Sequence, residues 1–188
     1  DPYSASKVAA EAATDAWRSI SESNGGPNIF SVRSGNVIGG GDLSTNRLMP
    51  DIIKAIKSSR HVSVRNPNST RPWQHVLDLC EAYQLLLERV LDEENDAPGE
   101  NWNIGPLEEE TIVVIDLIRR YEAYWQEIPL EIEQGPPETN TLALNSTKAR
   151  TKLGWLPRLT LDEALQKTAE WYQTALERPG LLADLNRQ

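Results

Sequence analysis

The segment after Pro2 contains no further proline and no glycine before Gly25, and much of it is alanine. Alanine is the residue most compatible with a helix interior, whereas proline and glycine end helices. Apolar residues recur along one face of such a helix at Val8, Ala12, Ala16 and Ile20. The sequence therefore predicts one long helix over residues 1–23, stopped by the run Asn24-Gly25-Gly26-Pro27.

This helix carries Tyr3 and Lys7 four residues apart, a spacing that places both side chains on one face. A neighbouring cation favours the ionised form of a phenol, so such a pair can accept and donate a proton at neutral pH. The same two residues also fit an ordinary solvated helix face. The pair is therefore a candidate acid/base whose meaning depends on the residues that accompany it.

The composition excludes several classes of protein. The chain has 188 residues, which suits one domain or one and a half, and its formal net charge of −9 argues against nucleic-acid binding through a broad basic surface. The single cysteine, Cys80, excludes an internal disulfide and fits a reducing compartment, so we expect a cytoplasmic protein with Cys80 in its core. Two histidines and one cysteine predict no metal site, and no apolar run approaches the roughly 20 residues that span a bilayer.

Periodicity and turn residues divide the rest of the chain into short elements. Further helices are predicted at Leu48–Ser58, Val76–Leu91, from about Val114 to Trp125, at 146–153 (ended by Gly154) and at 161–176. Strands are predicted at 29–33, Val62–Val64, 102–104, Leu130–Ile132 and 142–144. Loops are predicted at 35–41, 92–100 and 108–110, and Pro179-Gly180 ends the last helix. Thr160 and Glu163 form a capping-box pattern at the start of that helix.

The mixture of long helices and short strands indicates an α/β or α+β fold. A dinucleotide-binding α/β unit normally has a Gly-x-Gly-x-x-Gly turn between a strand and a helix. The sequence contains no such turn: Gly39-Gly40-Gly41 has the wrong spacing, and Asp42 behind it would repel a phosphate. The chain therefore lacks the phosphate-binding part of a nucleotide-binding fold.

Two groups of polar residues are candidates for ligand binding. Asn36 and Asp42 flank a glycine loop at the carboxyl end of a predicted strand, where ligands gather in open α/β sheets, although these are also common turn residues. Arg47, Arg65 and Arg71 lie within a short span of an acidic chain. Planar guanidinium groups suit phosphate, and surface ion pairs are the alternative.

Trp73 and His75 stand just before a predicted helix, where they fit either core and capping roles or the wall of a nucleotide pocket. More specific than any single group is the order of motifs along the chain. These are Tyr-x-x-x-Lys, Arg-x-Gly-Asn-Val-Ile-Gly-Gly-Gly-Asp, Arg-Leu-x-Pro-Asp, Arg-Asn-Pro, Arg-Pro-Trp-Gln-His-Val-Leu, Trp-Asn-Ile-Gly-Pro, Ser-Thr-Lys-Ala and Leu-Gly-Trp-x-Pro. The whole chain thereby resembles the carboxyl-terminal half of extended short-chain dehydrogenase/reductases of the NAD-dependent epimerase/dehydratase family, and most closely the CDP-glucose 4,6-dehydratases among them.

The resemblance implies a partial Rossmann-like fold without the N-terminal dinucleotide-binding βαβ units, together with a small α/β substrate-binding domain. Residues 1–45 would be the remnant of the NAD-binding domain, and 46–188 the nucleotide-sugar-binding domain, with part of 71–105 returning to the Rossmann sheet. We expect the isolated chain to be inactive and to bind NAD poorly. Family members usually dimerise through the first helix, so the resemblance also implies a homodimer, and we expect apolar surface on this helix to be exposed.

For the NAD cofactor, the resemblance implies roles for the first helix and for the turn 36–38. Tyr3 would take the proton from the sugar 4-hydroxyl, and Lys7 would hold the nicotinamide ribose. Val37 and Asn36 would border the nicotinamide. No metal is implied.

For the nucleotide-sugar substrate, the resemblance implies contacts from five positions. Asn36 would contact the phosphates directly, and Arg47 and Arg71 would bind the pyrophosphate. Arg65 would lie near the nucleobase and ribose, and His75 near the pocket wall. The family usually has tryptophan after the Gly-Gly-Gly-Asp run, where this chain has Leu43, a difference that bears on the sugar or base rather than on the class of reaction.

The implied activity is NAD-dependent dehydration of CDP-glucose to CDP-4-keto-6-deoxyglucose, a lyase reaction that leads to the deoxysugars of surface polysaccharide. Two alternatives stay open. The first is another nucleotide-sugar enzyme of the same superfamily, a 4-epimerase or a dTDP- or GDP-sugar dehydratase. The second is a non-catalytic module that binds a nucleotide sugar.

Overall fold

The structure, a computed structural model, describes residues 2–91, 99–107, 111–133 and 139–178. The helices in these ranges are α1 (Pro2–Ser23), α2 (Leu48–Ser58), α3 (Val76–Leu91), α4 (Val114–Glu122), α5 (Thr147–Leu153) and α6 (Leu161–Glu177). The strands are β1 (Ser31–Ser34), β2 (Asn36–Ile38), β3 (Val62–Val64), β4 (Thr70–His75), β5 (Asn101–Ile104), β6 (Thr111–Val113) and β7 (Leu130–Ile132). The loops predicted at 92–100 and 108–110 lie outside the described residues apart from 99–100, as does the stop at Pro179-Gly180.

Pairs of parallel strands that are distant in sequence build the sheets of the described part of the chain. Strand β1 pairs in parallel with β5, and β3 with β7. Strand β4 lies between β2, to which it is parallel, and β6, to which it is antiparallel. Parallel pairs joined through helices confirm the predicted α/β class.

Two hydrophobic cores form on these sheets. The larger one packs α2, α4 and α6 against β3 and β4, and its fully buried members include Ile52, Leu117, Tyr121 and Leu165. The smaller one joins α3, α5 and β5 around Trp102 and Trp155. Helix α2 buries Ile52 and Ile53 and packs the partly buried Ile56 against the same core, and α4 buries Leu117, Ile118 and Tyr121.

The predicted ends of two helices are also confirmed. Gly154 ends α5 with φ +65°, a left-handed conformation that costs glycine little. Thr160 and Glu163 form a reciprocal capping box at the start of α6, in which the Thr160 hydroxyl accepts from the Glu163 backbone N–H and the Glu163 carboxylate accepts from the Thr160 backbone N–H. Helix α6 therefore begins at a well-defined position and carries a mostly apolar face into the larger core.

The prediction that Cys80 lies in the core was wrong, because the cysteine is exposed. Helix α3 buries the stripe formed by Leu79, Ala82 and Leu86. Cys80 follows Leu79 by one residue, which turns its side chain by about 100° toward solvent. The apolar composition of α3 was therefore a poor guide to its inward face.

Three strand assignments also differ from the sequence-based expectation. The loop predicted at 35–41 contains β2, and the segment before α3 forms β4, whose proline and polar residues concealed it. The strand predicted at 142–144 does not form, and a single parallel bridge joins Thr141 to Thr70. The reason is that β2 occupies the same edge of β4 from Trp73 onward, so little of that edge is left to pair.

Candidate functional site

The tyrosine and lysine of α1 lie on the same helix face. Lys7 Nζ is 5.5 Å from the centroid of the Tyr3 ring. Tyr3 is 66% exposed, and α1 contributes no buried residue. A phenol hydroxyl and an ammonium group are thus presented together on an open surface, where both can donate hydrogen bonds to a ligand.

Polar side chains attach α1 to β1 and β5. The Arg33 guanidinium on β1 donates to both carboxylate oxygens of Glu11, with 2.8 Å between Arg33 Nε and Glu11 Oε1. Two turns further along α1, Arg18 donates to the backbone oxygen of Ile29 at 2.8 Å and to the Asn101 side-chain oxygen at 2.6 Å. These contacts lie on the polar side of α1 and leave its apolar stripe outward.

The ion pair with Arg33 sets the protonation state of the Glu11 side chain. Hydrogen bonds from Arg33 hold the pKa of Glu11 below its usual range, against a smaller opposing effect of burial. Glu11 is therefore a carboxylate at neutral pH. Because Glu11 follows Lys7 by four residues and Tyr3 by eight, the ion pair also fixes the rotation of the helix face that carries the candidate acid/base.

A second feature is an open cleft, here called the arginine cleft, between β2, β3, β4 and the start of α2. Its volume is about 620 Å³ with the open mouth included. Its lining residues are Asn36, Asn46, Leu48, Asp51, Ser63, Val64, Arg65, Asn66, Arg71, Trp73 and Val114. The cleft thus gathers Asn36, Arg65 and Arg71, three of the five predicted substrate residues.

A second, apolar cavity of about 400 Å³ is lined by Asp42, Leu43, Pro50, Ile53, Lys54, Lys57, Tyr172 and Leu176. That second cavity contains Asp42, one of the candidate ligand-binding residues, but none of the five predicted substrate residues.

The walls of the arginine cleft hold their polar groups in different ways. Arg71 Nη1 donates to the backbone oxygens of Thr70 at 3.0 Å and Thr139 at 2.9 Å, so its guanidinium is anchored. Arg65 is exposed. Trp73 is buried, and its Nε1 has no hydrogen-bond partner among the described residues. The cleft therefore offers two guanidinium groups, one anchored and one exposed.

The remaining predicted residues lie outside the lining of this cleft. Arg47 is exposed and immediately precedes α2, next to Asn46, which does line the cleft. His75 is buried in β4, its Nδ1 accepts from the Leu77 backbone N–H at 3.2 Å, and burial lowers its pKa. Val37 is half-buried against the smaller core. His75 thus caps the start of α3, one of the two roles its position in the sequence allowed.

Sequence reasoning missed several residues of the cleft, among them Asn46, Asp51, Ser63 and Asn66. A signal was present for Ser63, because it stands between the buried Val62 and Val64 of β3 and must point to the opposite face. For the others, only the packing of α2 beside β3 brings the side chains to the cleft.

Neither a membrane-spanning helix nor a group of metal-binding side chains occurs among the described residues. None of their helices is long and apolar enough to cross a membrane. The same residues contain no group of three or more histidine, cysteine, aspartate or glutamate side chains that could hold a metal ion.

Known proteins resemble this chain in sequence. It is 36% identical over 196 aligned residues to a CDP-glucose 4,6-dehydratase of Salmonella typhimurium, an alignment that covers 100% of the chain and 54% of the relative. It is 29% identical to a dTDP-glucose 4,6-dehydratase of Neisseria gonorrhoeae, covering 91% of the chain and 50% of that relative. The chain therefore spans about half the length of the curated relatives it matches.

Solved structures share its fold. The dTDP-glucose 4,6-dehydratase of Bacillus anthracis in complex with NAD superimposes with a TM-score of 0.78 at 21% identity, over 94% of this chain and 53% of the other. A UDP-glucose-4-epimerase of Stenotrophomonas maltophila with bound NAD also gives 0.78, at 19% identity, over 94% and 56%. A sequence profile described as GDP-mannose 4,6 dehydratase matches residues 1–168. With a match of that extent and the α/β fold above, the chain belongs to the GDP-mannose 4,6 dehydratase family.

Proposed function

We propose that the chain is part of an NAD-dependent nucleotide-sugar 4,6-dehydratase that acts on CDP-glucose. The observation that carries the proposal is the arginine cleft, which brings Asn36, Arg65 and Arg71 together in an acidic chain. The similarity to the Salmonella CDP-glucose 4,6-dehydratase along the whole chain supports the choice of substrate. A 4-epimerase has weaker support, since the epimerase likeness rests on structures at or below 25% identity.

In this proposal the arginines bind the pyrophosphate of the nucleotide sugar. Arg71 is anchored by backbone oxygens and Arg65 is free to close over a ligand, so one guanidinium is preorganised and the other adapts. Arg47 extends the positive charge at the mouth, beside Asn46. Asn36 supplies an amide that can donate to a phosphate oxygen.

Tyr3 and Lys7 are proposed as the acid/base pair. Their shared, exposed face suits the ribose end of NAD, because an ammonium and a phenol can both donate to ribose hydroxyls. When bound, NAD supplies reversible hydride acceptance at the sugar C4. Tyr3 takes the proton of the 4-hydroxyl, and Lys7 keeps positive charge beside the phenol oxygen as that proton arrives. With C4 as a ketone the C5 proton would be acidic, so water could leave across C5 and C6. Return of the hydride to C6 and of a proton to C5 would then give the 4-keto-6-deoxy product with NAD restored.

In this proposal the two parts of the chain bind different ligands. Residues 1–45 belong to the NAD-binding domain and 46–188 to the nucleotide-sugar-binding domain, with part of 71–105 in the Rossmann sheet. The parallel pairing of β4 with β2 and of β5 with β1 supports this return. The sequence has no Gly-x-Gly-x-x-Gly turn, so these residues would hold only the nicotinamide half of NAD.

The finer biological setting is also part of the proposal. The single cysteine favours a reducing, cytoplasmic location. A 4-keto-6-deoxy product places the reaction before the deoxysugars of surface polysaccharide. The exposed apolar stripe of α1 supports a homodimer formed through this helix.

A thermal-shift and calorimetric panel of CDP-glucose, dTDP-glucose, UDP-glucose, GDP-mannose and NAD tests the proposal on the 188-residue chain. Selective binding stabilises the folded state by about 2.7 kcal/mol at a ligand concentration 100 times Kd, so CDP-glucose should raise Tm most. NAD should bind weakly, and no dehydration should occur. The substrate proposal fails if no nucleotide sugar stabilises the chain. Micromolar affinity for NAD would contradict the proposal that these residues hold only the nicotinamide half of the cofactor.

A further inference from the structure

The segment 39–47 joins β2 to α2 and connects two parts of the arginine cleft. Asn36 stands before it in β2, and Asn46 and Leu48 lie at its far end. Asn46 adopts φ +59°, a left-handed conformation that costs a non-glycine residue energy. The course of this segment therefore decides how the two sides of the cleft face each other.

The aromatic ring of Trp171 on α6 lies directly against the segment. A Cβ built on Gly40 would stand 2.1 Å from the Trp171 ring, far closer than any side-chain atom can approach. Only glycine leaves room for the indole at this position. Trp171 also packs against the larger core, so the contact ties the glycine loop to the interior of the molecule.

The next residue of α6 holds the same segment by a hydrogen bond. The Tyr172 hydroxyl donates to the backbone oxygen of Asp42 at 2.8 Å. Burial raises the pKa of Tyr172 to about 12, so the hydroxyl remains a donor at neutral pH. The two rings meet edge to face, with centroids 5.0 Å apart. The neighbouring core residues Leu165 and Ala169 are fully buried, which makes α6 a rigid support.

We propose that Trp171 and Tyr172 are positioning residues that hold the segment 39–47 and thereby set the geometry of the arginine cleft. This inference rests on the proposed function for its effect on nucleotide-sugar binding. Neither residue lines the arginine cleft, so both act through the segment. The contacts come from the last helix of the described chain, over a hundred residues away in sequence from the segment they hold.

Hydrogen–deuterium exchange on the 188-residue chain tests the holding contact without any ligand. The variant Tyr172→Phe removes only the hydroxyl. We expect backbone amides of residues 39–47 to exchange about 3- to 10-fold faster, the range for one lost hydrogen bond. The matched control is Gln173→Met, which removes the Gln173 Nε2 donation to the Tyr124 backbone oxygen at 3.1 Å from the same helix and should leave 39–47 unchanged. Equal exchange in Tyr172→Phe and wild type overturns the proposal.

Calorimetry with CDP-glucose tests the consequence for the cleft. Gly40→Ala should weaken binding about 10-fold or more by displacing Trp171, and the double variant Gly40→Ala/Trp171→Leu should recover part of that loss because the smaller side chain leaves room. Absence of recovery would contradict a direct contact. If wild type binds no nucleotide sugar, the proposed function falls, and the exchange experiment alone decides whether Trp171 and Tyr172 position the segment.

Discussion

Two arginines of the cleft illustrate how neighbouring residues of one type differ. Arg71 is anchored by the backbone oxygens of Thr70 and Thr139, whereas Arg65 is exposed. An anchored guanidinium loses little conformational freedom when a phosphate binds. Arg71 should therefore contribute affinity through its fixed geometry, and a lysine in its place could not reproduce the planar, two-point contact.

Substitution of these arginines should weaken nucleotide-sugar binding. Arg71→Ala and Arg65→Ala should each raise the Kd for CDP-glucose about 10- to 100-fold, because each removes a charged donor to phosphate. Arg71→Lys should recover only part of the loss. Arg60→Ala, which removes the same charge at an exposed position outside the cleft lining, is the matched control. An equal loss in Arg60→Ala, measured by calorimetry, would mean that overall charge and not the cleft governs binding.

At the scale of elements, α1 is attached to the sheet almost entirely through polar groups. Glu11 bonds to Arg33, and Arg18 to Ile29 and Asn101, while no residue of α1 is buried. Hydrogen bonds from Arg33 lower the pKa of Glu11. The contact therefore stabilises the fold fully at pH values above the pKa that Glu11 has in the unfolded chain, and this stabilisation is lost as the pH falls through the lower pKa of the folded chain. Asp78 has the opposite effect on the pH dependence of stability, since burial raises the pKa of its carboxyl group.

The variant Glu11→Gln should make the attachment of α1 insensitive to acid. At pH 7 its Tm should fall by about 1–3 °C, the effect of one partly exposed ion pair in a chain of this size. The difference from wild type should shrink as the pH falls through and below the ordinary glutamate value of 4.5, because the wild-type carboxylate is then protonated. Glu22→Gln, on an exposed part of the same helix, is the control. Thermal melts between pH 7 and pH 3 measure both, and a difference that is as large at pH 3 as at pH 7 would contradict the assignment.

At the scale of the whole molecule, α1 presents an uncovered apolar stripe. Val8, Trp17 and Ile20 are all more than half exposed, and Trp17 is 65% exposed. Such patches on a folded surface mark sites of association. The polar face of α1 already contacts β1 and β5, so the apolar face is the one available to a partner.

The 188-residue chain should therefore associate in a concentration-dependent way, and Trp17→Glu should shift it toward monomer by placing a charge in the apolar contact. Leu156→Glu is the matched control, since Leu156 is also exposed but lies outside α1. Sedimentation velocity over a range of concentrations measures the change. A wild-type chain that stays monomeric at all concentrations would contradict an interface on α1.

Local sequence was sufficient for the helices and for part of the site. The alanine-rich run predicted α1, the spacing of isoleucines predicted α2, and the capping box predicted the start of α6, because each depends on residues within a turn or two. The same local rule places Tyr3 and Lys7 on one face. The arginines could be named as phosphate candidates from residue type alone, but their type did not reveal which of them share a cleft.

Tertiary structure alone decided the rest. Strand β4 exists because its residues pair with β2 and β6, partners that are distant in sequence. The same long-range packing places Arg65 and Arg71 in one cleft with Arg47 outside its lining, turns Cys80 to solvent, and sets Trp171 against Gly40. Periodicity and propensity report on neighbours along the chain, whereas these contacts depend on which surfaces bury each other once the helices and strands have formed.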